Sequence, residues 1–297
     1  MKSLSRTVKD RVFVWSIVIP AILFFIIFVY YPFAKNVYYM FCDYNYIKAP
    51  VFSGLKNIQQ FITDSTAHRA LFNTFAITIF SVPLVLVVSL GAALAVFSMK
   101  RGKNFIRSAL FATFLVPPVV ASVIFKLMFG TESGLINTVL NTLGLPSVGW
   151  LISPGWAIGR WALAAIIIVH VWNGTGYYMV IFLAGLSNIN RQLYEAARVD
   201  GANGVQVFRY ITVPQLKPTI IFSMIYATIT YLRSFALVEI LTEGGPYRST
   251  ETIIMYMFKQ GFQSRNVGYA SVIAVVVFLI TLVISLIQMK LTKYYDD

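Results

Sequence analysis

Six predominantly apolar intervals of 15 or more residues contain no Asp, Glu, Lys or Arg: residues 12–34, 70–99, 108–125, 161–190, 218–232 and 266–289. Most are apolar throughout, and a helix of about 20 such residues crosses the hydrocarbon layer of a membrane. The pattern predicts six transmembrane helices in one all-α domain spanning residues 1–297. The fifth interval is short, since Arg233 interrupts it before Phe235 to Val238 complete the length. Prolines fall inside the apolar runs at Pro20, Pro83 and Pro117-Pro118, where a missing N–H kinks a helix and neighbouring helices repair the backbone. A moving role for Pro117-Pro118 and a static one are equally compatible with the sequence.

Basic residues set the orientation. The N-terminal segment, the loops at 100–107 and 191–217 and the C-terminal tail hold fourteen Lys and Arg, against eight on the alternate side, whose loops are longer. Positive residues accumulate in the cytoplasm, which predicts cytoplasmic termini and a cytoplasmic 191–217 loop. Val12 to Tyr31 exceeds a signal-peptide core and reads as a retained first helix.

Composition agrees. The 297 residues are 58% hydrophobic and 12% charged, against about 25% charged in soluble domains. The net charge of +13 is scattered among short loops, so no basic domain tracks nucleic acid. Cys42, the single cysteine, permits no internal disulfide.

The most polar long stretch between two apolar runs is Tyr194 to Pro214. Tyr194 to Val199 favours helix, Gly201 after Asp200 suits a left-handed stop, and Val205, Phe208 and Ile211 give a second short helix one apolar face. Pro214 and Pro218 are expected to stop it before the next span. Glu195-Ala196-Ala197, Gly201 six residues after the Glu, Ile211 ten after the Gly, then Val213-Pro214 resemble the EAA loop of ABC-importer permeases. That resemblance implies ATPase coupling through Glu195, Ala196, Ala197, Asp200, Gly201, Ala202, Phe208, Ile211 and Pro214.

Further matches point to carbohydrate permeases of the maltose type. They are Tyr30-x-Pro32-Phe33, Phe52-x-Gly54-Leu55-x-Asn57 and the Gly244-Gly245-Pro246 turn, itself a rigid surface feature by composition. Independently, His170, Trp172, Asn173, Thr175, Tyr177 and Tyr178 cluster in the fourth interval around Gly174 and Gly176. Thr228, Thr230, Tyr231, Arg233 and Ser234 form a patch around the fifth. Polar groups in spans usually face a bundle interior or a pathway. Aligned with the resemblance, His170, Asn173, Gly174, Tyr177, Thr230, Tyr231 and Ser234 fall on substrate-contact positions. His in place of Asn, and Tyr-x-Arg-Ser in place of an Asn-rich run, depart from the maltose pattern.

The resemblance implies a type I ABC-importer permease core. It also implies a second homologous permease, two ATPase subunits, an external solute-binding protein and a prokaryotic cytoplasmic membrane as setting. The sequence has no phosphate-binding loop, and His68 and His170 lack metal-ligand companions, so no catalytic or metal residue is assigned. No cofactor is expected on this chain, ATP and Mg being bound by the ATPase. A polyol, sugar phosphate or uronate is an alternative cargo. A secondary carrier is disfavoured because no Asp or Glu lies mid-span, and a purely structural subunit would not need the polar patches. Trp150 and Trp156 are expected as headgroup anchors. Arg233 is expected to pair with Glu239 or another carboxylate, or to snorkel, rather than to meet substrate.

Overall fold

In a computed structural model, residues 6–152 and 160–293 are described; Trp156 lies outside them. Among the described residues, four helices are long and apolar enough to cross a membrane, and two bent helix pairs, each taken as one span, bring the number to six. The architecture is therefore the six-span, all-α one, with the third and fifth spans broken. The chain divides into two compact units, residues 1–64 with 257–278 and residues 65–256 with 279–297.

The first unit begins with α1 (Arg6–Phe25), a π turn (Ile26–Tyr30) and α2 (Tyr31–Tyr39). It continues with a two-stranded hairpin, β1 (Cys42–Asp43) antiparallel to β2 (Val51–Phe52), and α3 (Lys56–Thr63). Asn57, buried at the start of α3, donates to the carbonyls of Met40 (3.1 Å) and Cys42 (2.8 Å) and so fixes the hairpin. The last helix, α14 (Val267–Lys293), starts in this unit, with Ser271 donating to Asn36 Oδ1 and Tyr269 to Asp64.

The second unit contains α4 (Ser65–Ser98), α5 (Lys103–Leu115), α6 (Pro118–Met128) and α7 (Leu135–Thr142). After these come α8 (Arg160–Ser187), α9 (Arg191–Val199), α10 (Gly204–Val207), a π turn (Phe208–Thr212) and α11 (Val213–Leu232). The unit ends with α12 (Ala236–Thr242), α13 (Ile253–Phe258) and the last turns of α14. One apolar core joins α4, α8 and α11 through Val85, Phe182, Leu186 and Leu216; a second joins α6, α8 and α12 through Phe125, Ile166, Val169 and Leu241.

The third span, a single helix by charge spacing, is instead α5 and α6 meeting at 94°. Val116 and Pro117 are extended (ψ 119° and 140°), as residues preceding a proline tend to be. The fifth span breaks where the sequence made it uncertain, with α11 and α12 at 52° around Arg233 to Phe235.

Pro214 and Pro218 do not stop the helix that precedes them. A helical path runs from Gly204 to Leu232, with Pro214 in the first turn of α11 and Pro218 inside it. For Pro214 the π turn before α11 supplies the reason, because its wider spacing carries Val213 N–H to the Phe208 carbonyl and makes room for a ring. The first π turn likewise ends two residues before a proline, Pro32.

Trp150 is engaged within the protein. Its Nε1 donates to Asn137 Oδ1 (3.1 Å), and its rings lie 5.1 Å from Phe129 and 5.4 Å from Trp161. The buried Asn137 amide also donates to the carbonyls of Thr131 and Val148, tying α7 to the turn-rich segment after it.

Candidate functional site: a cavity at two helix breaks

Both broken spans turn toward one cavity of about 250 Å³ in the second unit, walled by α5, α6, α8, α11 and α12. All seven substrate-contact residues expected from the sequence line it: His170, Asn173, Gly174 and Tyr177 on α8, Thr230 and Tyr231 on α11, and Ser234 in the second break. Phe114, Tyr178, Tyr226 and Arg233 complete much of the wall.

These residues do different work. His170 is 5% exposed, with Nε2 2.9 Å from Ser234 Oγ and Nδ1 3.4 Å from Ser81 Oγ. Its ring stacks on Tyr231 at 4.6 Å, and the Tyr231 hydroxyl donates to the His170 carbonyl. The imidazole is thereby locked between α4, α11 and the second break, a structural latch in the cavity wall. Asn173 Nδ2 donates to the carbonyls of Thr113 (3.0 Å) and Val116 (3.1 Å), which leaves Oδ1 for the cavity. In a continuous helix the Thr113 carbonyl would receive the N–H of residue 117, a proline that has none. Asn173 thus supplies across the bundle the donor that Pro117 lacks.

The second break is stabilised in the same way. Thr252 donates to the Ser234 carbonyl (2.9 Å), and Ser122 of α6 to the Leu237 carbonyl (3.2 Å). Phe114, Tyr177 and Tyr226 form an aromatic wall, with ring centres 4.8 and 5.4 Å apart along it. Thr230 donates to the Tyr226 carbonyl within α11.

Part of the α8 cluster faces elsewhere. Trp172 and Thr175 line a separate apolar cavity of about 460 Å³ with Leu84, Val88 and Ile168. Gly176 lets α8 touch α5, since a Cβ there would sit 2.3 Å from the Leu110 carbonyl oxygen. Thr228, in the other patch, is buried and receives a bond from Gln288 of α14 (2.9 Å).

Arg233 does not pair with a carboxylate among the described residues, and its exposure fits the other expectation, a side chain that snorkels. It is exposed, lines the cavity and has no hydrogen bond or ion pair among the described residues. Glu239 is not its partner, and Glu239 Oε2 is buried without a hydrogen bond.

The Tyr194 to Pro214 stretch forms the helix, turn and helix expected of it. Asn190 caps α9, Gly201 stands at φ +75°, and Asn203 with Gln206 makes a capping box at α10. Ala197 packs inward and accepts Ala202 N–H at its carbonyl, while Glu195, Ala196 and Asp200 are exposed. Val205, Tyr210 and half-buried Ile211 lie around the second turn, with Tyr194 hydroxyl 3.3 Å from Thr212 Oγ1 holding the two helices together. Phe208 sits in the π turn and Pro214 follows it, both exposed in part.

One recognition element escaped the sequence reading. Asn73 of α4, 5% exposed, donates to the carbonyls of Arg248 and Glu251, and Thr74 accepts Ile253 N–H. Together they pin the Gly-Gly-Pro loop, whose Thr250 hydroxyl closes on the Gly245 carbonyl at 2.7 Å. The only signal was an Asn-Thr pair at one end of an otherwise apolar interval.

The match that decides the family covers residues 87–294 and is described as binding-protein-dependent transport system inner membrane component. The chain belongs to this permease family. The permease is 34% identical over 292 residues to the sulfoquinovosyl glycerol transport system permease protein SmoG of Agrobacterium fabrum, covering 97% of this chain and 92% of that one. It is 33% identical to the lactose transport system permease protein LacF of Rhizobium radiobacter, with 92% of each covered. A crystal structure of a bacterial ABC transporter that imports the acidic polysaccharide alginate contains a chain of the same fold, with a TM-score of 0.84, 22% identity and 97% and 98% covered. A permease of this family is the multi-pass membrane component of an ATP-driven importer. It is not an enzyme, and a separate subunit hydrolyses ATP.

Proposed function

We propose that this permease forms, with a second homologous permease, the translocation path of a carbohydrate importer, the 250 Å³ cavity being its half of the sugar site. The observation that carries this reading is the aromatic wall of Phe114, Tyr177 and Tyr226 beside hydroxyl and amide groups at two helix breaks. Aromatic faces suit the C–H faces of a pyranose, and hydroxyl groups exchange hydrogen bonds with its edge. SmoG and LacF are named for glycosides, which supports sugar as cargo.

The chain works as one transmembrane domain with cytoplasmic termini. Two ATPase subunits, which bind the ATP and Mg, dock on the exposed Glu195, Ala196 and Asp200 surface, with Gly201 setting its turn and Phe208, Ile211 and Pro214 behind it. ATP closes the ATPase pair, the α9 to α10 knob carries that motion into α11, and an external binding protein releases sugar into the cavity. Such coupling requires ATP and sugar to favour different conformations.

The test is affinity purification of the tagged chain in mild detergent from its native host, followed by ATP-driven uptake of radiolabelled sugars in proteoliposomes. Recovery of a phosphate-loop ATPase and a second permease, with sugar uptake abolished when ATP is omitted, is the expected result. Purification alone, or uptake independent of ATP, would return the chain to the carrier class.

A further inference from the structure

Charged side chains in the spans of a membrane protein usually pair with one another or mark a substrate pathway. None of the cavity's lining residues is Asp or Glu, whereas Arg233 brings a permanent positive charge to it. Arg233 has no partner among the described residues, and Glu239, only six positions on, does not reach it. Its place is set by the backbone, as it ends α11 (φ −101°, ψ 16°) just before the bend into α12. The last carbonyls of α11 favour a cation there without neutralising it. His170, whose two ring nitrogens are engaged by Ser81 and Ser234, adds no competing anion acceptor.

From this juxtaposition we infer that the cargo is an acidic sugar, with Arg233 as the residue that selects its oxyanion. The inference rests on the carbohydrate reading and narrows it. A guanidinium offers a planar fork of donors that fits a carboxylate, and equally two oxygens of a phosphate or sulfonate. The oxyanion of the sugar therefore sits at the break after α11, and the ring lies along Tyr177 and Tyr226. Thr230 and the free Asn173 Oδ1 remain for neutral hydroxyls. A neutral sugar would leave the charge unmatched and bind more weakly.

The experiment uses the assembled transporter in lipid nanodiscs, without binding protein, and three probes: D-glucuronate, D-glucose 6-phosphate and D-glucose. Equilibrium dialysis gives each affinity for wild type, Arg233→Gln and Arg233→Lys. At least one anionic probe is expected to bind about tenfold or more tightly than D-glucose, and which one separates a carboxylate from a phosphate-like cargo. Arg233→Gln is expected to weaken the anionic probe by about 10- to 100-fold, as the loss of a charged hydrogen bond does. D-glucose binding is the reference against which that loss is read, and Arg233→Lys should keep part of the preference. Equal binding of D-glucose and the anions overturns the inference and leaves the carbohydrate reading standing. So does an unchanged anion preference in Arg233→Gln, or loss of the second permease from that variant, which would show that Arg233 pairs with the partner. Failure of all three probes at millimolar concentration overturns both readings. If the Arg233→Gln chain itself does not insert or fold, the wild-type preference and Arg233→Lys decide.

Discussion

Asn173→Ala isolates the device that holds the broken third span. It removes two hydrogen bonds, 3.0 and 3.1 Å long, and leaves the Thr113 and Val116 carbonyls without their donor beside two prolines that cannot supply one. Each lost bond costs about 0.5–1.5 kcal/mol, and a carbonyl left unpaired away from water adds its desolvation, for about 3 kcal/mol together. In a chain of this size that lowers the melting temperature by about 6–12 °C. Asn173→Asp keeps the shape but faces the carbonyls with acceptors, and should be worse than Ala. The assay is thermal melting of the detergent-purified transporter followed by size-exclusion fluorescence, with ATPase activity measured in parallel. Melting of Asn173→Ala within about 1 °C of wild type would refute the idea that this side chain replaces the missing proline donor.

Other perturbations separate packing from coupling. Gly176→Ala places a Cβ 2.3 Å from the Leu110 carbonyl oxygen and 2.9 Å from Phe111 Cα, backbone that cannot rotate away; a loss of about 1–3 kcal/mol should appear as a lower melting temperature, and no shift would show that α5 and α8 separate freely. Gly201→Val meets nothing within 4 Å but must hold φ +75°, a local cost of about 1–2 kcal/mol. The expected outcome is normal insertion with loss of co-purifying ATPase, and retained association would remove the knob from the coupling path. Lys126 Nζ donates to Glu243 Oε1 at 2.8 Å, and that hydrogen bond, then the charge, holds the Glu243 carboxyl below the usual carboxylate range. A lowered value means that the pair stabilises the fold above the ordinary carboxylate pKa and loses this as pH falls through the lowered one. Carboxyl chemical shifts of Glu243 should therefore titrate at higher pH in Lys126→Met than in wild type, the pair being exposed and its stability effect small.

Apolar, charge-free length determined the number of spans, because an ion in hydrocarbon is costly wherever the helix happens to pack. Local chemistry was equally legible in the α9 to α10 knob, where a left-handed Gly201 needs only neighbours in sequence. The seven cavity residues were read from two polar patches together with the resemblance to maltose-type permeases, and all seven line the cavity. What each does was decided by elements far away in the chain. Pro117 marks a break, but only the arrival of Asn173, 56 positions later, lets the chain bend by 94° with its carbonyls paired. Pro214 and Pro218 looked like stops, yet the helix runs through both, with a π turn ahead of Pro214. His170, which composition left between ligand contact and core residue, is held by Ser81 and Ser234 from two other elements. Asn73 and the loop it pins are separated by about 175 positions. Hydrophobic length and turn chemistry are properties of a segment; a hydrogen bond that satisfies a broken backbone belongs to whichever distant side chain the packing brings to it.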